Sequence, residues 1–282
     1  MRNFICRTVV ASICFTSAML CASAVSQAEP AQADKEKTVM SDVLKVAVYE
    51  DFAPFSDNNT GIDVDLAKAL AAKLGMRLSL LPFKEADDVN DDLRNMVWKG
   101  HYLGYGPADV MMHVPVDHRL AVANDKVQIF APYYRDTVQL VRSAKKFPDF
   151  DGIDSLSGKK IGVFGDSIAG MVLLGEQNGK FREDIKIFKN PIDALEKLKA
   201  GELDAVFATT SEIESVFKGS ADFPVQELII PRLPSQGWVV GMAVKKEETE
   251  LAKKLQTATN ELFESGEMAK IFAKYGVRIN KP

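Results

Sequence analysis

An α/β fold is predicted by three stretches in which a short apolar strand is coupled through a loop to an amphipathic helix. The first is the segment 43–75. Leu44 to Tyr49 alternates apolar and polar residues and is rich in valine, the pattern of a strand. Glu50 to Asn59 has the acidic, aromatic, proline and asparagine content of a loop. From Gly61 the spacing of Ile62, Leu66, Ala69, Leu70 and Leu74 marks one face of a helix that Gly75 closes. The second is Leu156 to Ser167 (LSGKKIGVFGDS), a turn, a strand and a glycine loop leading into a helix. The third is the amphipathic helix Ile192 to Ala200, followed by the strand Gly201 to Phe207. In open α/β sheets small ligands sit at the carboxyl ends of the strands. The loop holding Phe52 and Phe55 is therefore one candidate cleft edge, although two such rings serve a core equally well.

At the amino end, residues 1–28 read as a signal peptide. Arg2 and Arg7 form a basic start, Thr8 to Val25 is apolar or small, and Ser26-Gln-Ala28 suits cleavage near Ala28. All three cysteines (Cys6, Cys14 and Cys21) fall in this segment, so the mature chain has no thiol for a disulfide, a cysteine–zinc site or a nucleophile. Cleavage also removes two arginines and no acid, taking the formal net charge from −4 to −6. Such a surface offers no global basic field for nucleic acid. Residues 29–41 are polar and without periodicity, a flexible lead-in.

Arg77 to Pro82 is a second strand, and Asp88 to Lys99 a helix with Val89, Leu93, Met96 and Val97 on its apolar face. Gly100 to Pro107 is a glycine- and aromatic-rich surface loop, with partner contact as its alternative use. Asp109 to Met112 is a buried strand, and His113 to Arg119 a loop at its carboxyl end. His113 and His118 match no metal-ligand spacing. They read either as satisfied surface histidines or as an anion-binding corner in which Arg119 offers its planar fork to a carboxylate. Val127 to Arg135 leads into the strand Thr137 to Val141. Asp166 and Ser167 open a helix and serve either as plain caps or as an anion site. Thr209, Thr210 and Ser211 stand at the end of the third stretch's strand. Pro231 to Val244 brings the chain back, with Trp238 either over the cleft or in the core. Glu247 to Tyr275 is a terminal helix.

The ordered set of these motifs resembles the periplasmic solute-binding proteins of the amino-acid-receptor class. The carriers are F-A-P-F with G-I-D-V-D-L-A-K-A-L, G-K-K-I-G-V-F-G-D-S, the strand after Gly201, the return through Trp238 and the closing K-Y-G. The resemblance implies a two-lobed periplasmic-binding-protein type 2 fold with two interdomain crossover strands. Lobe 1 would be 42–141 plus 239–282, and lobe 2 would be 142–238. D-V-M-M-x-V-P at 109–115 and P-Y-Y-R at 132–135 resemble the subgroup associated with quinoprotein dehydrogenases.

Two departures shape the ligand expectation. Where amino-acid receptors of this class place acids for the ligand ammonium, this chain has Tyr49 and Thr209. A buried ammonium without a counter-charge is costly, which argues against a standard amino acid. The expected ligand is therefore an anionic or carboxylated solute held by Phe52, His113, Arg119, Asp166, Ser167, Thr209 and Trp238. No cofactor is required, and the subgroup suggests pyrroloquinoline quinone as a bound ligand. The expected partners are an ABC permease in the inner membrane or, alternatively, a periplasmic quinoprotein (PQQ-dependent) dehydrogenase on which the protein docks as a monomer. A dehydratase-like enzyme on the same fold would need a placed general acid or base. Glu50, Asp51, His113 and Asp117 sit in no spacing that demands one, so no catalytic residue and no metal site are expected.

Overall fold

Two five-stranded mixed sheets organise the protein, and the chain passes between them twice. The computed structural model describes residues 42–282 apart from Ile229 and Pro234. The signal peptide and the lead-in lie outside the described residues.

The first sheet begins with β1 (Val43–Tyr49), which pairs in parallel with β2 (Arg77–Phe83) and β3 (Val110–Pro115). Leu44, Val46, Ala47 and Val48 are all buried, as befits a strand covered on both faces. Helix α1 (Ile62–Leu74) connects β1 to β2 and ends on Gly75 at φ 68°. Gly75 N–H donates to Ala72 O and Met76 N–H to Ala71 O, which satisfies carbonyls the helix end would otherwise strand. After β2, α2 (Val89–Leu93) runs straight into a π-helical turn at Arg94–Trp98, both within the stretch predicted as one helix. Loop 100–107 follows, with the His101 ring stacked on Tyr105 and with Tyr102 and Leu103 exposed.

Strand β3 runs three residues beyond Met112, because Val114 is fully buried against the second core cluster of this lobe. His113 therefore lies within a strand rather than in the expected loop. Helix α3 (His118–Ala123) starts on an Asp117 cap whose carboxylate accepts from Leu120 N–H. Strand β4 (Val127–Asp136) completes the outward run and β5 (Val138–Arg142) enters the second sheet, with only Thr137 between them.

The second sheet has the order β7-β6-β8-β5-β9. Strand β6 (Ile161–Phe164) is parallel to β7 (Ile185–Phe188) and β8 (Ala205–Thr209), while β5 runs antiparallel to β8 and to the short β9 (Val225–Gln226). Helices α4 (Ile168–Gly175), α5 (Pro191–Lys199) and α6 (Thr210–Phe217) cover it. Strand β10 (Trp238–Lys245) then returns to the first sheet, between β3 and β4 and antiparallel to both. The two-lobed α/β fold with two crossovers expected from the sequence is the fold observed.

The terminal helix differs from expectation. It is two helices, α7 (Thr249–Glu264) and α8 (Glu267–Lys274), separated at Gly266 in the left-handed conformation at φ 73°. The bend brings Met268 and Phe272 back onto the core that also holds Leu255 and Leu262.

At the return crossover Gly237 has φ 64°, and a Cβ there would sit 1.8 Å from Asp136 O. Replacing it with alanine adds a left-handed penalty of about 1–2 kcal/mol to a backbone clash. Gly237→Ala is expected to lower unfolding free energy by at least about 2 kcal/mol, read from denaturant titration at unchanged slope.

Candidate functional site

A cavity of about 290 Å³ opens where the carboxyl ends of β1 and β3 face those of β6 and β8. The first sheet and the loops joined to it contribute Tyr49, Phe52, Phe55, Glu85, His113 and Trp238, and the second sheet's side contributes Phe164, Asp166, Ser167, Phe207, Thr209 and Glu212. Asp136, at the first crossover, also lines it. Of the seven residues expected at the site, six are brought together here: Phe52, His113, Asp166, Ser167, Thr209 and Trp238.

Arg119 is not among them. It is exposed on α3 and does not line the cavity. The reason is local: β3 continues to Pro115, Asp117 caps the helix, and the first turn of α3 carries Arg119 on an outer face. His118, beside it, is exposed as well.

The lobe 1 wall is built on the buried carboxylate of Asp63, in the first turn of α1. Asp63 Oδ1 accepts from the Tyr133 hydroxyl at 2.7 Å, and Oδ2 lies 3.1 Å from His113 Nδ1. The Tyr133 hydroxyl in turn accepts the His113 backbone N–H at 3.0 Å. This holds His113 at φ 60°, a left-handed conformation that costs a side-chain-bearing residue of order 1–3 kcal/mol. The ring then forms a floor for the aromatic loop. Phe55 meets it edge-on at 4.2 Å and Phe52 at 4.8 Å, and the two phenyl rings stack at 5.6 Å. Phe55 is fully buried and Phe52 half-buried, so one stretch supplies both core and cleft.

The loop is fastened to α1 from below. Ile62 N–H donates to Pro54 O and Asp63 N–H to Phe55 O, filling acceptors with the unpaired donors of the helix start. Gly61 at φ 132° admits this approach, since a Cβ there would lie 2.2 Å from Phe55 O.

The other wall is acidic. Thr209 caps α6: its side chain accepts from Glu212 N–H, while Glu212 Oε2 accepts from Thr209 N–H at 2.9 Å, a complete capping box. Glu212 is nine-tenths buried, and burial raises its carboxyl to about 7, with the Asp136 charge adding to the rise. Asp136 is 2 % exposed and is also raised by burial, a rise opposed by hydrogen bonds from Ser211 and Thr137. Its second oxygen accepts from the Ser211 hydroxyl. Ser167 caps α4 by accepting from Gly170 N–H at 2.9 Å, so of the two roles read from sequence its cap is the one with a partner.

The cavity thus holds four carboxylates (Glu85, Asp136, Asp166 and Glu212), and no lysine or arginine lines it among the described residues. That lining does not support the expectation of an anionic solute. The groups expected to supply positive charge are either outside, as Arg119 is, or set among acids, as the α4 start is beside Asp166. Thr209, read as a lost counter-charge, is the cap of a helix whose third residue supplies the acid. The sequence signal was present in T-x-x-E at 209–212. Asp136 had no such signal, because its place in the cleft depends on the crossover pairing Asp136 with Trp238.

Comparisons with known proteins find relatives that cover most of the chain. Residues 109–264, more than half of the chain, match the family model described as NMT1/THI5 like. A protein of Neisseria gonorrhoeae named as a probable histidine-binding protein is 28% identical over 248 residues, covering 83% of this chain and 82% of its own. The arginine-binding extracellular protein ArtP of Bacillus subtilis (strain 168) is 26% identical, covering 95% of this chain and 96% of its own. Among solved structures, an ancestral cationic amino acid solute-binding protein superposes with a TM-score of 0.64 at 20% identity, over 83% of this chain and 96% of its own.

Two substitutions test the walls. Asp63→Ala leaves the Tyr133 hydroxyl and the His113 ring unpaired in the core, and is expected to cost at least about 2 kcal/mol in denaturant unfolding. Glu212→Gln keeps an acceptor for Thr209 N–H but removes a buried charge. Because the folded carboxyl titrates above its unfolded value, the stability the wild type draws from protonation is complete below about pH 4.5 and lost as pH rises through about 7. The variant should therefore melt higher than wild type at pH 8 and close to it at pH 5. An equal shift at both pH values would contradict the account.

Proposed function

The chain belongs to the NMT1/THI5-like family, and from that premise we propose that it is an exported receptor that traps a cationic, amino-acid-type solute between its lobes for ABC-transporter uptake. It is a solute-binding protein of the amino-acid-receptor class rather than an enzyme. The quinoprotein-associated subgroup suggested by 109–115 and 132–135 is not what these relatives represent, and the anionic ligand is set aside with it.

The observation that carries the proposal is the pairing of aromatic rings with desolvated carboxylates in one cavity. A cation against the faces of Phe52, Tyr49 or Trp238 gains about 0.5–2 kcal/mol from each ring quadrupole. Beside Glu212 and Asp136 it also supplies the counter-charge that two buried acids lack. The chain crosses between the lobes at Thr137 and again between Gln226 and Trp238, and Arg278 also reaches across to pair with Glu214 at 2.7 Å, so closing the lobes around the solute takes dihedral changes at the two crossings while that pair adjusts. His113 and Thr209 would then border the ligand from opposite lobes.

Tryptophan fluorescence tests this directly, because Trp238 lines the cavity. L-Arginine and L-histidine are expected to give saturable changes that Trp238→Phe abolishes, whereas citrate and pyrroloquinoline quinone leave the signal unchanged. Saturation by either anion with no response to the cations would refute the proposal. Affinity for the cation should also fall as the pH drops from 8 to 5, because protonating Glu212 removes its charge. Well below pH 7 the loss approaches about tenfold per pH unit for a single proton.

A further inference from the structure

Resting on that cation reading, we infer that the preferred solute is an organic amine without a carboxylate, the decarboxylated counterpart of a cationic amino acid. An α-amino acid carries its own anion, and a receptor must neutralise that anion when it removes the ligand from water. The cavity offers no guanidinium or ammonium for this purpose among the described residues. Arg119 is exposed on α3, and Arg135 is committed to Gln236 O at 3.1 Å. His113 turns Nδ1 to Asp63, so its one placed polar contact is already with an acid.

The remaining positive field is the start of α4, and two features of the sequence spend it. Ser167 fills the Gly170 N–H, and Asp166 precedes it as a carboxylate on the same cavity wall. A ligand carboxylate placed there would meet a like charge, although Asp166 itself is exposed.

Everything else favours an amine. Glu212 is nine-tenths buried, and among the described residues its hydrogen bond is made by Oε2, leaving Oε1 able to accept from an ammonium or guanidinium. Asp136 and Glu85 extend the negative lining towards lobe 1, while Phe52, Phe164 and Trp238 supply faces for a flat or aliphatic middle. A site with acids on both lobes suits a molecule with a cation at each end better than a zwitterion.

Isothermal calorimetry with two matched pairs, agmatine against L-arginine and histamine against L-histidine, isolates the carboxylate. The amine of each pair is expected to bind the mature protein at least tenfold more tightly than the amino acid, and Glu212→Gln to weaken the amine at least tenfold. Amino acids binding as tightly as their amines, or more so, would overturn this inference while leaving the cation reading intact. No heat from any of the four at millimolar concentration would overturn both. Amine binding that Glu212→Gln leaves unchanged would refute the assignment of the counter-charge to that residue.

Discussion

The Asp63 carboxylate is the constraint on which the cleft depends. It is a buried acid at the first turn of α1 that receives the Tyr133 hydroxyl and the His113 ring, and so ties α1, β3 and β4 together at one point. Without it His113 would have no reason to stay at a left-handed φ inside a strand. Once His113 is fixed, its ring sets the height of Phe55 and Phe52, and these in turn set the lobe 1 face of the cavity. The same helix start fills the loop's carbonyls, and Tyr275 adds a link from α8 by donating to Asp65 Oδ2 while accepting from Gly61 N–H. A ligand site made of loops is thereby held as firmly as core.

The second lobe follows a different principle. Glu212 is not neutralised by a basic partner but held near its protonation midpoint by burial, which also raises Asp136 beside it. Asp136 is balanced by Ser211 and Thr137 donors, and Glu212 by its own helix cap. Such groups are poised rather than satisfied. A cation entering the cleft changes their charge, and the price of burying the cation is met by acids that were costly to ionise without it.

Much of the fold was legible in the sequence because it is written in local patterns. The β1–α1 unit, the glycine turn before α4 and the α5–β8 pair all follow from apolar spacing and from glycines at element ends. The split between α7 and α8 was not legible in the periodicity, since Met268 and Phe272 continue the same apolar stripe while Gly266 bends the backbone beneath it. At the site, aromatic and capping residues were readable, but the sign of the charge was not. Arg119 is six residues from His113 in sequence, yet the extension of β3 and the Asp117 cap turn it outward. Asp136 and Glu212 lie far apart in sequence and meet only because the crossover lays Thr137 against Thr210, whose N–H donates to Thr137 O at 2.8 Å. Charge in a cleft between two lobes is a tertiary property, and neither position announces it alone.

The most direct test of a cation held by poised acids is the proton count of binding. Agmatine would be titrated calorimetrically at pH 7 in two buffers of different ionisation enthalpy. The account predicts net proton release, because the ligand's charge lowers the Glu212 carboxyl from about 7 and drives it to ionise. Release should vanish in Glu212→Gln. Proton uptake on binding, or release that persists in that variant, would contradict the claim that this buried carboxylate is the counter-charge of the site.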